Sequence, residues 1–346
     1  MVAESVARPA ARAEAEVEAG AEAEAEAEAK AKAKAKAKAK AKAKAKAKAK
    51  AKAKAGAAAR RPLLRARTAW RRIVAAGCAE LGREAASDAD SVHRRRVAIR
   101  RLRSVLALFA PCLDKVERRR YDVALRELGR AYGLVRDWDV ACLRSFPAAM
   151  EGGDAAAVAA LLAASDAARQ EARAALAASG AAAECADLAG DIASWAAGPT
   201  VLDPAVRFRP IATIGPVLLR RLDRLARRRG RGIDRLSAKE LHALRRALKR
   251  ANYAAEALEG VAPGLALGAF RTTAGAALDQ LGRFNDAGVA RGLADALASR
   301  DALGTEDAAG QGAAPVRRWA KRRARKARRR LEPAWKAFRA APRPWS

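Results

Sequence analysis

Only two histidines occur in the 346 residues, His93 and His242, and each opens a run of basic residues spaced to share one helical face. His93, Arg96, Arg100 and Arg103 stand at offsets of 0, +3, +7 and +10; His242, Arg245, Lys249 and Asn252 stand at the same offsets. At 3.6 residues per turn such positions line one side of a helix, in a row about 15 Å long. Like charges at successive turns repel, so the row is costly without a counter-ion. Guanidinium forks match phosphate oxygens, and a protonated imidazole can join them. The chemistry available to these residues is the holding of a polyanion. A single basic helix would read as a solvated face balanced by neighbouring carboxylates; its repetition favours a site.

The repetition extends beyond the two rows. One offset of 149 residues maps His93 onto His242, Arg96 onto Arg245, Arg100 onto Lys249, Gly133 onto Gly282, Asp137 onto Asp286 and Val140 onto Val289, without a gap. An internal duplication is the simplest account, and it predicts two similar helical bundles facing each other about a pseudo-two-fold axis. The expected direct ligands are His93, Arg96, Arg100, Arg103, His242, Arg245 and Lys249, with Arg101 and Arg250 as neighbours. Asp137 and Asp286 are expected to orient arginines, since a carboxylate behind a guanidinium pre-organises it and one beside phosphate repels. Arg220, Arg221, Arg224, Arg227 and Arg228, and a second set of Arg318, Arg322, Arg325 and Arg329, would either extend the track or form solvated faces.

Charge supports this direction. The chain has 70 Lys and Arg against 38 Asp and Glu, a formal +32. Residues 1–55 are low complexity, Ala-Glu and then Ala-Lys, yet hold only +7 of it; the other 291 residues hold +25, and 49 of their 55 basic residues are Arg. Alternation with period two leaves the tail no apolar stripe to bury, so it reads as a solvated segment, helped locally at most by Glu26 with Lys30 and Glu28 with Lys32. Glu26-Ala-Glu28-Ala-Lys30 spells the Glu-x-Glu-x-Lys signature of triphosphate tunnel enzymes, but those letters arise wherever the two repeats meet, and no strands follow to close a barrel.

Other classes are disfavoured. Cys78, Cys112, Cys142 and Cys185 are scattered and read as buried free thiols, with no zinc spacing and no disulfide frame. No P-loop, carboxylate dyad or histidine-rich cluster points to catalysis or a cofactor. No stretch resembles a membrane span or a signal peptide, which implies a soluble cytoplasmic protein. Aromatics at 4% and an Ala- and Leu-rich body suit an all-α fold. Apolar periodicity places helices at 63–83, 88–109, 116–131, after Asp137, and at 154–178, 183–196, 211–229, 238–258, 265–282, 286–299 and 315–340. Ser237 with Glu240 forms a capping box, and Pro315 fits the first turn of the last helix.

The same residues carry a family resemblance. HRRRVAIRRLR with LRELGRAYGLVRDWDV, LHALRRALKRANY with LDQLGRFNDAGV, and the closing LEPAWKAFRAAPRPW resemble the two halves and the end of a CHAD domain, the conserved histidine α-helical domain, over roughly residues 63–345. The resemblance implies two four-helix bundles, halves at about 63–200 and 205–345 within 61–346 after a tail of 1–60, enclosing a basic cavity that binds inorganic polyphosphate without catalysis. It also implies association with polyphosphate or polyhydroxyalkanoate granules. Asn252 stands where the pattern has Arg, and Trp138 where Leu is commoner, so the second row should bind more weakly. The competing reading is a nucleic-acid or nucleoid-binding protein using the Ala-Lys tail and basic helices; no base-reading module or stacking platform is evident.

Overall fold

The computed structural model describes residues 64–83, 88–199, 201–301, 308–343 and Trp345. The chain divides into a unit of Met1–Pro62 and a unit of Leu63–Ser346. The described residues all belong to the second; the Glu-x-Glu-x-Lys letters and the Glu26–Lys30 and Glu28–Lys32 pairs lie outside them.

The described residues form α1 (Ala66–Gly82), α2 (Ala89–Leu108), α3 (Lys115–Val140), α4 (Phe146–Met150), α5 (Ala155–Ala178), α6 (Ala181–Ala197), α7 (Pro204–Arg207), α8 (Ile211–Arg229), α9 (Ala238–Val261), α10 (Gly268–Asp301) and α11 (Ala308–Ala340). The fold is all-α. No strand occurs among the described residues; two isolated bridges, Arg65 with Pro210 and Leu113 with Leu202, tie the segments before α1 and α3 to the connection leading into α8. None of these helices is long and apolar enough to cross a membrane.

Short polar caps start the helices that matter here. Asp88 accepts from the Ser91 amide ahead of α2, Asp114 from the Val116 and Glu117 amides ahead of α3, and the Ser237–Glu240 box is complete at α9. Two helices run further than periodicity predicts. α3 passes through Gly133 and α10 through Gly282, where the pattern suggested breaks. A glycine costs a helix interior only about 1 kcal/mol, which a long buried face outweighs. α11 begins seven residues before Pro315, so that proline lies inside the helix rather than in its first turn. The added turns pack on α5: a Cβ at Gly312 would lie 2.9 Å from Leu161.

Helix α2 packs on α1 and α3, α9 on α8 and α10, and α2 and α9 pack on each other. The buried side chains, from Trp70 on α1 to Phe338 on α11, form one continuous cluster rather than two. Aromatic groups anchor each half: Trp70 meets Phe109 and Trp195, and Phe338 meets Phe270 and Trp335. Cys78, Cys112 and Cys185 are buried and Cys142 half-buried, all as free thiols.

Candidate functional site

The contact between α2 and α9 decides the electrostatics. It brings Arg96 and Arg100 from one row against Arg245 from the other, half-buried between the helices. Burial, then Arg245 and Arg96, push the Arg100 guanidinium below its ordinary value, down to about 10. Burial also lowers Arg245, with Arg96 adding to the effect and Asp286 opposing it. A guanidinium surrendering its proton more readily is the signature of crowded, under-solvated cations.

The carboxylates come from the third helix of each half. Arg96 Nη1 donates to the Gly133 carbonyl at 2.8 Å and to Asp137 Oδ1 at 3.1 Å, both on α3. Asp286 on α10 supplies the corresponding negative charge beside Arg245. Lys249 lies with its Nζ 4.8 Å from the ring centre of buried Tyr253, which holds the ammonium against an aromatic face. The centre therefore gathers Arg96, Arg100, Arg245 and Lys249 around Asp137 and Asp286, an excess of positive charge.

Other expected ligands are placed differently. Arg101 is exposed and donates to Glu256 on α9 at 2.5 Å. Arg103 Nε donates to Asp122 on α3 at 2.9 Å. Both already have carboxylate partners, so an anion would have to compete for them. Arg250 sits beside Arg103, with Arg246 and Arg221 adding like charge and Asp122 opposing it; burial is the largest cause of its lowered pKa. This second cluster joins α2, α3, α8 and α9.

Each histidine is exposed and meets the residue 43 positions later in its own half. His93 lies in the field of Arg136; burial first, then Arg136, hold its imidazole below the ordinary value, while Asp90 pulls the other way and Arg96 and Arg144 add to the depression. His242 Nδ1 donates to Asn285 Oδ1 at 2.9 Å. With Nδ1–H engaged, Nε2 can donate to a phosphate oxygen only if it too is protonated. Positions 136 and 285, one 149-residue offset apart, thus carry a cation beside His93 and an amide beside His242. Asn252, in the slot equivalent to Arg103, has a buried Oδ1 without a hydrogen-bond partner.

Arg136, Arg144 and Tyr253 enter the site without having been singled out as ligands. Arg136 precedes Asp137, a position the repeat flagged. Arg144 had no sequence signal: it lies in a π-helical segment, Ala141–Ser145, that widens the chain after α3. Arg95, on the same helix as His93, is buried and points away, donating to Tyr132 Oη at 2.9 Å and to the carbonyls of Arg83 and Ala182. It braces the bundle.

Chemically, the site offers hydrogen-bond donors and positive charge. Among the described residues no group of three or more His, Cys, Asp or Glu could hold a metal ion. The class defined by fold and site is an all-α protein with a cationic face where α2 and α9, two helices of matching basic pattern, meet. The chain belongs to the CHAD domain family, whose model matches residues 78–295. It is similar to the crystal structure of the CHAD domain from the plant Ricinus communis, at 24% identity and a TM-score of 0.65, over 81% of this chain and 93% of that one. It is also similar to PptA from Streptomyces chartreusis, at 17% identity and a TM-score of 0.59, over 78% of this chain and 99% of the other. No curated protein matches it. At these identities the likeness to the solved structures shows the fold.

Proposed function

We propose that the chain binds inorganic polyphosphate, without catalysis, on the face where α2 meets α9. The observation that carries this reading is the gathering of Arg96, Arg100, Arg245 and Lys249 around two carboxylates, Asp137 and Asp286, where α2 meets α9; burial first, then Arg245 and Arg96, push Arg100 down to about 10. A chain of phosphates, each with roughly one charge and no base, relieves that repulsion without needing a stacking surface. His93 and His242 at the edges add charge when protonated, and Arg250, Arg246 and Arg221 continue the positive potential toward α8. Binding of this kind would carry the chain to polyphosphate or polyhydroxyalkanoate granules in the cytoplasm.

The test is competition between labelled long-chain polyphosphate and duplex DNA at about 150 mM salt, where long-range surface charge is screened. The intact chain and a chain starting at Arg60 are compared. The reading requires the shortened chain to keep its preference for polyphosphate. It also requires the triple replacement of Arg96, Arg100 and Arg245 by Ala to weaken binding far more than replacement of Arg318, Arg322 and Arg325. Equal losses would mean generic charge.

One observation favours nucleic acid as a second reading. Arg318, Arg322, Arg325 and Arg329 are exposed on successive turns of α11, a stripe suited to a phosphate backbone. In that case DNA would win the competition, and the α11 replacements would cost more than the central ones.

A further inference from the structure

A further concentration of arginines lies on neither histidine row. The C-terminal half of α8, the turn after it and the segment that ends the chain enclose a hollow of about 670 Å³, edged by Arg220, Arg224, Arg228, Arg231, Arg339 and Arg343. All six are exposed.

The hollow has a fixed floor. Its acid, Asp223, is 1% exposed and accepts from Arg227 Nε at 2.8 Å. Arg227 also donates to the Arg339 carbonyl at 2.9 Å and the Phe338 carbonyl at 3.3 Å, with its guanidinium 4.8 Å from the Phe338 ring centre. This one side chain therefore neutralises the carboxylate and fastens the end of α11 to α8. Arg343 adds its field to Asp223 from the rim. Half-buried Trp345 lines the hollow while packing edge-on to Phe270. Among the described residues Asp223 is the carboxylate that lines the hollow, and Arg227 engages it from within the floor.

A volume of this size is that of a small-molecule site. A long linear polyanion needs a track; a hollow ringed by guanidinium groups suits several phosphoryl groups held close together. We propose that this hollow is a separate binding site for a compact, polyvalent phosphate, with three or more adjacent phosphoryl groups. The site goes beyond the reading of the α2/α9 face and does not use Arg96, Arg100 or Arg245; Arg221 alone borders both. A short condensed phosphate and the phosphate tail of a nucleotide share this chemistry.

The experiment is calorimetric titration of the full chain with sodium tripolyphosphate and, separately, with ATP, at about 150 mM salt so that distant surface charge is screened. Three triple-alanine variants are compared: Arg224, Arg228 and Arg231 in the hollow; Arg96, Arg100 and Arg245 at the centre; and Arg322, Arg325 and Arg329 on α11, which removes equal charge elsewhere. The expected result is saturable binding of tripolyphosphate, weakened roughly tenfold or more by the hollow variant and little by the other two. If ATP binds more tightly than tripolyphosphate, a nucleotide is the source; the reverse order indicates a free condensed phosphate, and both orders support the site. Absence of saturable binding by either probe overturns the proposal, as does an equal loss in the hollow and α11 variants. Loss confined to the central variant also overturns it and leaves the reading of the α2/α9 face intact. Long-chain polyphosphate binding that survives the central replacements would instead sink that reading alone.

Discussion

Replacing Arg100 by Met should make the free protein more stable and the polyphosphate complex weaker. Methionine keeps an unbranched stem of similar length and deletes the charge. Arg100 falls below its ordinary value to about 10, chiefly through burial and then Arg245 and Arg96; at 1.36 kcal/mol per pH unit, the charged form carries a folding penalty of roughly 3 kcal/mol. Relaxation and solvent screening reduce what a mutation recovers, leaving an expected gain of about 1–2 kcal/mol. Because the group is a base with a depressed folded value, the penalty is fully present below about 10 and is relieved as pH rises toward the ordinary guanidinium value. The gain should therefore be flat across the neutral range. Urea unfolding at neutral pH, read as a shift in midpoint at constant slope, measures it. The same variant should lose about 10- to 100-fold in affinity for long-chain polyphosphate, the worth of one or two charge-assisted hydrogen bonds. A variant that unfolds more easily and binds unchanged would refute the reasoning, because Arg100 would then be a structural brace.

Further outcomes follow from the same geometry. Polyphosphate affinity should rise as pH falls from about 8 to 6 and flatten below the depressed His93 value, because binding raises an imidazole pKa that burial and Arg136 hold down; His93→Gln should flatten the profile, as pH-resolved calorimetry would show. Without ligand the sign reverses: His93 costs nothing above its ordinary value and destabilises the fold as pH falls below about 6.5, an effect thermal melts of wild type against His93→Gln would expose. Asp223→Ala should cost about 3–5 kcal/mol in urea unfolding, since it leaves Arg227 partly buried beside Phe338 without its carboxylate. Gly230→Ala should lower the melting temperature by several degrees, because a Cβ there would run into the Trp335 ring; an unchanged melt would mean the α8 end moves freely.

What the sequence by itself determined was the all-α class, the faces of the helices, the capping box of α9 and the pairing of His93 with His242 through one constant offset. Local periodicity, capping and a repeat of 149 residues are properties of the chain read in order, so they survive without coordinates. The family resemblance was legible for the same reason, being carried by contiguous motifs.

Only the tertiary structure decided which cations are free. In a helical projection Arg103 shares the row of Arg100 and Arg101 stands beside it, yet Glu256 lies 155 residues away from Arg101 and Asp122 lies 19 from Arg103, and no periodicity foretells those meetings. Gly133 and Gly282 looked like breaks because local propensity was weighed without the buried faces that carry α3 and α10 through them. Arg144 acts on His93 from a π-helical segment after α3, and Arg227 on α8, beneath the arginine hollow, fastens carbonyls at the end of α11 more than 110 residues later; neither meeting is written in the local pattern. Spacing along the chain sets which face a charge occupies; long-range packing sets what that charge must face.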